Sequence, residues 1–417
     1  MGVLTLVLAV AAVLLGVWAN SRWRELQRDL CLTKEVAFCD AADCTLLSTP
    51  TAVEGLSALG DGHCVFGGGG DLGAAFHAGA AAAKPGAVWL VNATAGTARE
   101  LAIDWRGHAE HRLVLHGVYY SQATRRLYAV NHLEEESVEC FDVRRRPPAG
   151  DTTGDAAGAG AGAGADEWVL EHVASVRDPL FQNFALNAVV EGMPGEIYMT
   201  EWLPYGLPST GKGGGSWRDV ANTIIVHFKV RTTRVFRCQL AGGCEVASVQ
   251  RFVGTNGLAV SADRQTYFVN DPRERRITVL RRTATGALEP VASFETLHVL
   301  DNIEIADDDA TLYGGTIPLP FAHPAVCEVG LGAARVVGGR AVSCGTSPGG
   351  LLRLRRGDGA LGWAAGATPA QEDFVHDGAL LSAPASAIAL NNETLVAMGA
   401  PYSPGVLVCR LPPTGGA

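Results

Sequence analysis

A chain of 417 residues, 47% hydrophobic and 18% charged, has the material for one large core or for two to three ordinary domains. Its 51 glycines against 8 tyrosines and 8 tryptophans point to many turns, which suits an all-β fold better than a helical bundle. A net charge of −10 argues against a nucleic-acid binder, which needs a basic face to neutralise phosphates.

Residues 3–19 carry no charge and are rich in Leu and Val. That length suits a signal-peptide core or a short membrane span, and Val17-Trp18-Ala19 is a passable cleavage site. Arg22, Arg24 and Arg28 follow the run, which by the positive-inside rule favours a cytosolic body, although large domains translocate regardless of nearby charge. Ten cysteines with no C-x-x-C pair favour disulfides over a zinc ribbon or a thioredoxin-like site. Asn92-Ala93-Thr94 and Asn392-Glu393-Thr394 fit the N-glycosylation pattern. The expected layout is a signal-anchor and juxtamembrane segment over 1–30, with a short amphipathic helix over 21–30. A folded domain over 31–417 follows, in the secretory pathway, anchored to the membrane with a lumenal or extracellular body, or secreted.

The body repeats one phrase: a turn, an apolar strand centred on Tyr or Trp, a small residue or Asn, and a second alternating strand. It occurs at Val88-Trp89-Leu90-Val91, Leu127-Tyr128-Ala129-Val130, Ile197-Tyr198-Met199 and Tyr267-Phe268-Val269, then at Leu312-Tyr313-Gly314 and Leu395-Val396-Ala397. Short strands repeated between turns indicate radial β architecture, and six copies predict a six-bladed β-propeller behind an N-terminal hydrophobic helix. Residues 144–166, with Arg-Arg-Arg-Pro-Pro and an Ala-Gly run, read as a disordered insertion, and 209–216 as a second flexible loop. Gly67 to Gly70 reads as a turn, because no G-K-[ST] follows it. His108-Ala109-Glu110-His111 lacks a third ligand and reads as a surface loop. Cys238 with Cys244, and Cys327 with Cys344, are spaced to bridge hairpins, but spacing alone does not assign partners.

Four polar insertions interrupt apolar strands. Glu54 lies in Ala52-Val53-Glu54-Gly55-Leu56, Asn187 in Leu186-Asn187-Ala188-Val189, Asn256 in Thr255-Asn256-Gly257-Leu258, and Asp301-Asn302 in Leu300-Asp301-Asn302-Ile303. Any one of them is an ordinary turn cap. Four at blade-like intervals need a shared cause, because an unpaired buried polar group is costly. Calcium takes six to eight hard oxygen ligands, and a propeller axis is where loops from separate blades converge.

With Leu115-His116-Gly117-Val118 and Ala129-Val130-Asn131-His132 between the first two insertions, their order resembles the serum paraoxonase/arylesterase family from about Cys44 to Leu411. The resemblance implies a calcium-dependent six-bladed propeller that hydrolyses aryl esters and lactones. It further implies a catalytic calcium held by Glu54, Asn187, Asn256, Asp301 and Asn302, and His116 with His132 activating the attacking water. Asp301 is a second candidate for proton transfer or nucleophilic attack. The resemblance pairs Cys44 with Cys409 and makes the N-terminal segment a membrane anchor. The family's second, structural calcium relies on two further carboxylates, where this chain has Gly55 and Ala188, and the family's usual free cysteine is Thr316 here. Residues 66–76, at the expected substrate mouth, are also unlike the family. The two histidines read equally as satisfied structural residues. Other readings are a propeller enzyme resembling gluconolactonases or strictosidine-synthase-like proteins, or a catalytically silent, membrane-anchored propeller that binds lipid or protein.

Overall fold

The computed structural model describes residues 36–78, 83–107, 112–132, 136–146, 167–182, 185–205, 228–306, 309–323, 335–337, 340–356 and 369–411, with a few isolated residues between them. The expected hydrophobic helix over 3–19, nearly all of 21–30, the His108–His111 cluster, 147–166, 209–216 and Cys327 lie outside these. Among the described residues no helix is long and apolar enough to cross a membrane.

The chain opens with β1 (Cys44–Ala58), β2 (Cys64–Gly69), the short α1 (Leu72–Ala78), β3 (Val88–Asn92) and β4 (Thr97–Glu100). The second sheet follows: β5 (Ala102–Asp104), β6 (Leu115–Ser121), β7 (Arg126–Asn131), β8 (Ser137–Arg146) and β9 (Glu167–Val176). The third is β10 (Ala185–Glu191), β11 (Glu196–Leu203), β12 (Val235–Gln239) and β13 (Cys244–Val246). The fourth is β14 (Leu258–Val260), β15 (Thr266–Asp271), β16 (Arg276–Arg282) and β17 (Leu288–Glu295). Then come β18 (Val299–Ile305), β19 (Thr311–Ile317), the separate hairpin β20 (Arg335–Val337) and β21 (Arg340–Val342), β22 (Gly349–Arg355) and β23 (Ala370–His376). Finally β24 (Ser386–Leu390) and β25 (Leu395–Arg410) join the first sheet, giving the order β24-β25-β1-β2-β3-β4.

Within each large sheet the strands run as an antiparallel meander, apart from β5, which lies parallel to β9. The strands β1, β6, β10, β14, β18 and β24 contact one another in succession round a closed ring. The molecule is therefore an all-β propeller with five large sheets standing round one axis. Its core is distributed, with one apolar cluster in each gap between successive sheets. Phe66 and Leu90 meet Leu127 and Phe141 between the first two sheets, and Phe268 meets Leu312 and Leu352 between the last two. Strands buried on both faces read as continuous apolar runs rather than alternating ones.

The tyrosine of the repeated phrase also has a polar task. Tyr128, fully buried on β7, donates its hydroxyl to Glu191 Oε1 of the next sheet at 2.6 Å. Tyr198 on β11 donates to the Gly286 carbonyl at 2.8 Å, and Tyr313 on β19 to Glu393 at 2.9 Å. A large ring fills the gap between sheets while its hydroxyl ties them together, which accounts for Tyr at this point of the phrase.

Two expectations are corrected. Gly67, Gly68 and Gly69 are not a turn but the buried second half of β2. A side chain at Gly69 would collide with the Ala52 carbonyl of β1, so bare backbone is what lets the two strands close. Arg144–Arg146, expected as the start of a disordered insertion, pair with Glu167–Val169 as the end of β8.

Cys44 and Cys409 sit opposite each other on β1 and β25 and form a disulfide across a sequence separation of 365 residues. Cys238 and Cys244 bridge the β12–β13 hairpin, and Cys344 is disulfide-bonded as well. Cys64 and Cys140 are buried free thiols. Such disulfides belong to an oxidising, secretory-type environment. Replacing both Cys44 and Cys409 by Ser is expected to cost about 2–5 kcal/mol in urea unfolding, because the bond closes a loop of nearly the whole domain. A loss below about 0.5 kcal/mol would mean that the strand pairing holds the closure by itself.

Candidate metal centre

Three of the four polar insertions, and His116 with them, sit at a fault in a strand. The β1–β2 register slips between Val53 and Gly55, the β6–β7 register between Leu115 and Val118, the β10–β11 register between Leu186 and Val189, and the β18–β19 register between Leu300 and Ile303. Those four slips hold Glu54, His116, Asn187 and the Asp301–Asn302 pair. A bulge turns a side chain out of the regular alternation, here towards the axis. Asn256 immediately precedes β14 and is held through its backbone: its N–H donates to the Asn270 carbonyl at 2.9 Å, and its carbonyl accepts from Thr200 Oγ1 at 2.6 Å. Gly117 lets β6 approach β10, since a side chain there would strike the Asn187 carbonyl.

The structure brings the predicted residues into one connected group. Glu54, His116, His132 and Asn187 are all buried. His116 Nε2 lies 3.0 Å from Glu54 Oε1 and 2.9 Å from Asn187 Nδ2, and His116 Nδ1 lies 2.7 Å from His132 Nε2. Asp301 acts electrostatically on both Glu54's neighbourhood and His116, and Asn256 hydrogen-bonds its carboxylate. Asn302, next in the chain, is anchored by its N–H to the Ala385 carbonyl at 2.8 Å. Trp202 stands edge-on to His116 with ring centroids 5.8 Å apart.

The decisive feature is what these side chains lack. Glu54 Oε2, Asn187 Oδ1, Asn256 Oδ1, Asp301 Oδ1 and Asn302 Oδ1 are each shut away from solvent without a hydrogen-bond partner among the described residues. Buried polar atoms are normally satisfied, and five unsatisfied acceptors in one group fit a cation that is not itself a residue. Two carboxylate and three amide oxygens suit a hard cation such as calcium, and no thiolate or imidazole in the set favours a softer one. Among the described residues no three His, Cys, Asp or Glu side chains are arranged to hold a metal ion by themselves.

The electrostatics point the same way. Burial pushes the Glu54 carboxyl up to about 8, against a smaller pull from His132. Asp301 is raised to about 7, by burial first and by the Glu54 charge second. The His116 ring is lowered to about 3 by burial and by His132, so it is neutral at physiological pH. Without a cation Glu54 therefore keeps its proton at neutral pH and can donate it to His116 Nε2.

Along the axis lies a cavity of about 410 Å³ lined by Gly55, Gly117, Ala188, Asn302, Arg264 and Glu304. Gly55 and Ala188 bring no side-chain oxygen to it. Asn92 and Asn392 both lie at the ends of their strands away from Glu54. Asn92 caps Ala95 at 2.8 Å, and Asn392 is exposed in the β24–β25 turn.

Sequence reasoning passes over Glu136, which closes on His132 Nδ1 at 2.8 and 3.0 Å. It follows His132 in an acidic run that looks like solvated loop, so no local signal marks it. Gly345-Thr346-Ser347-Pro348-Gly349 matches the Gly-x-Ser-x-Gly pattern of serine hydrolases, but Ser347 is fully buried and leads into strand β22 instead of a helix. It is no nucleophile elbow. Ser175 and Glu139 both face His172 Nε2, at 3.2 and 3.1 Å, and a catalytic triad needs the base to bridge between them.

No family model and no curated protein matches the sequence. Solved structures similar to it include a gluconolactonase from Xanthomonas campestris, 14% identical, covering 91% of this chain and 94% of that one at a TM-score of 0.46. A luciferin-regenerating enzyme is 10% identical, with 88% and 94% covered and a TM-score of 0.46. Virginiamycin B lyase from Staphylococcus aureus is also 10% identical, with 88% and 99% covered and a TM-score of 0.42.

Proposed function

We propose that the chain is a calcium-dependent hydrolase of carboxylic esters, aryl esters or lactones, similar to the paraoxonase/arylesterase family. One observation carries the reading: the five orphaned oxygens belong to Glu54, Asn187, Asn256, Asp301 and Asn302, the set that the resemblance assigns to the catalytic calcium. Calcium bound there would polarise a substrate carbonyl and stabilise the oxyanion that develops. The remaining work falls to the protein. His116, neutral and beside the ligands, accepts a proton from water, and His132 with Glu136 behind it steadies the ring that becomes charged. Asp301 is the second candidate acceptor. A single cation is proposed, because Gly55 and Ala188 offer the axial cavity no carboxylate.

We also read the six-stranded sheet as two blades, making six in all. Thr45–Leu47 of β1 pair with Val406–Val408, whereas residues 55–58 pair with β2. An apolar cluster with Val53 and Trp89 on one side and Ile388 and Val406 on the other fills the space between, as in every other gap. The N-terminal hydrophobic segment is proposed as an anchor with the propeller on the lumenal or extracellular side, and Asn92 and Asn392 as glycan sites. The disulfides support that side of the membrane.

The test is hydrolysis of phenyl acetate and a δ-lactone by the chain expressed through an oxidising compartment, with calcium and after stripping it. Activity that disappears with calcium is the expected result. A folded, calcium-loaded protein that turns over neither substrate would overturn the hydrolase reading and favour a propeller that binds lipid or protein.

A further inference from the structure

We propose that a groove at the far end of β6 from the metal centre binds a sulfated polysaccharide, through arginines gathered from two strands and a turn. Nothing in this depends on the hydrolase reading. β6 begins beside the centre at His116, and its last residue, Ser121, lies about 16 Å further along the strand. There the β1–β2 and β6–β7 turns, the end of β8 and the start of β9 enclose a cavity of about 780 Å³. Four arginines line it, Arg125, Arg126, Arg144 and Arg145, against two aspartates, Asp61 and Asp142. In a chain of net charge −10 this local excess of positive charge runs against the whole.

The neighbouring carboxylates are already shared. Asp142 meets Arg126 at 3.0 Å and Arg144 at 3.4 Å, and Glu171 meets Arg144 at 2.6 Å and Arg106 at 2.7 Å. Asp61 is turned onto its own turn, where it accepts the backbone N–H groups of His63 and Cys64. Arg125, and Arg146 at the end of β8, form no ion pair among the described residues. Arg145 lies over the Trp168 ring, 4.4 Å from its centroid, which steadies its guanidinium against the wall. Arg125 and Arg145 both pull on the Tyr120 hydroxyl, against the larger effect of its burial, so a turn and a strand present them to one space.

The arrangement chooses the ligand class. The guanidinium fork matches the oxygens of sulfate and phosphate groups. One isolated anion would call for donors converging on a point, whereas these form a row. Arg144 to Arg146 alone cover about 7 Å of β8, and Arg126 and Arg125 continue on the neighbouring strand and turn. A row suits anionic groups repeated along a polymer, and basic runs on a surface attract heparin-like chains. The disulfides belong to an oxidising environment, where the polyanions within reach are sulfated polysaccharides and not nucleic acid.

The test is retention of the full chain on immobilised heparin at neutral pH, followed by the affinity for heparin oligosaccharides across a salt series. Retention is expected despite the negative net charge. Arg125→Asn with Arg145→Gln should elute earlier, and its plot of log affinity against log salt should be shallower by about one unit for each arginine. Asn tolerates the left-handed backbone that Arg125 adopts at φ 55°, so the turn survives. Arg276→Gln with Arg410→Gln removes the same charge elsewhere and should bind as the parent does. Should the first pair melt early, Arg146→Gln replaces it, with the same direction expected. A parent that passes straight through the column overturns the proposal. So does equal weakening in both double variants, which would make net charge the cause. Retention lost on stripping calcium would move the polyanion to the metal centre and overturn the placement. Tighter binding to polyphosphate, or to vesicles carrying an anionic phospholipid, would overturn the sulfated glycan as partner.

Discussion

Asp301→Asn is expected to abolish hydrolysis and to weaken calcium binding by at least about 100-fold, because loss of an outer partner alone costs 10- to 100-fold at metal sites. The substitution keeps the shape of the side chain, so β18 keeps its bulge and its pairing with β19. What it removes is one of only two carboxylates in the donor set. It also removes a destabilising charge. Asp301 is raised to about 7 by burial and by Glu54, so in the metal-free protein at pH 8 its ionised form is unfavourable. Calcium-stripped Asp301→Asn should therefore melt at the same temperature as the parent or higher at pH 8, while losing the calcium-induced rise. That combination separates a ligand from a fold residue. A variant that binds calcium as the parent does would remove Asp301 from the centre, and one that melts lower without calcium would make its role structural.

Stripping calcium should expose a pH dependence of opposite sign to ordinary acid denaturation. In the folded, metal-free chain Glu54 is raised from 4.5 to about 8 and Asp301 from 3.8 to about 7. Between those ordinary and raised values the folded state holds protons that the unfolded state has released. Stability then falls as pH rises through roughly pH 4–8. Calcium displaces those protons, so its affinity rises across the same window and its binding releases protons. Melting curves of stripped and calcium-loaded protein from pH 5 to 9 should diverge towards high pH. Calcium at 100 times its dissociation constant adds about 2.7 kcal/mol. Glu201 and Asp271 are also raised by burial, to about 7 and about 6, but they lie outside the donor set and tilt both curves alike. The gap between the curves isolates the centre. A gap that is constant with pH would mean that Glu54 and Asp301 bind no cation.

Much of this architecture was legible because propeller strands are buried on both faces. Five of the six repeated phrases fall on second strands, or on the first arm of β25, and in three of them the tyrosine ties its sheet to the next. The copy at Val88–Asn92 falls on the third strand instead, because the true second strand, Cys64–Gly69, has exchanged bulk for close backbone approach and so reads as a turn. Glu54, Asn187 and Asn256 stand out as lone polar residues in an apolar context, and Asp301 with Asn302 as a polar pair at a strand start. The bulges that aim Glu54, Asn187 and Asp301 are invisible in sequence, since a register slip depends on the partner strand. Glu136 was illegible for the converse reason: an acid within an acidic run shows nothing until the fold turns it onto His132. The division of β1 between two pairings was hidden too, as nothing in its apolar run marks where one partner gives way to the other.

That division has a consequence for how the molecule is made. The first arm of β1 acquires its neighbour, and Cys44 its bonding partner, only when the residue 365 positions later has been synthesised. At 5–20 residues per second the wait is roughly 20–70 s, during which an edge strand and a reactive thiol are both exposed on an unclosed ring. Closure is thus an event after synthesis of the last strand, shared by every blade at once. A chain cut short before β25 should be lost to quality control as a whole, and not accumulate as a smaller propeller.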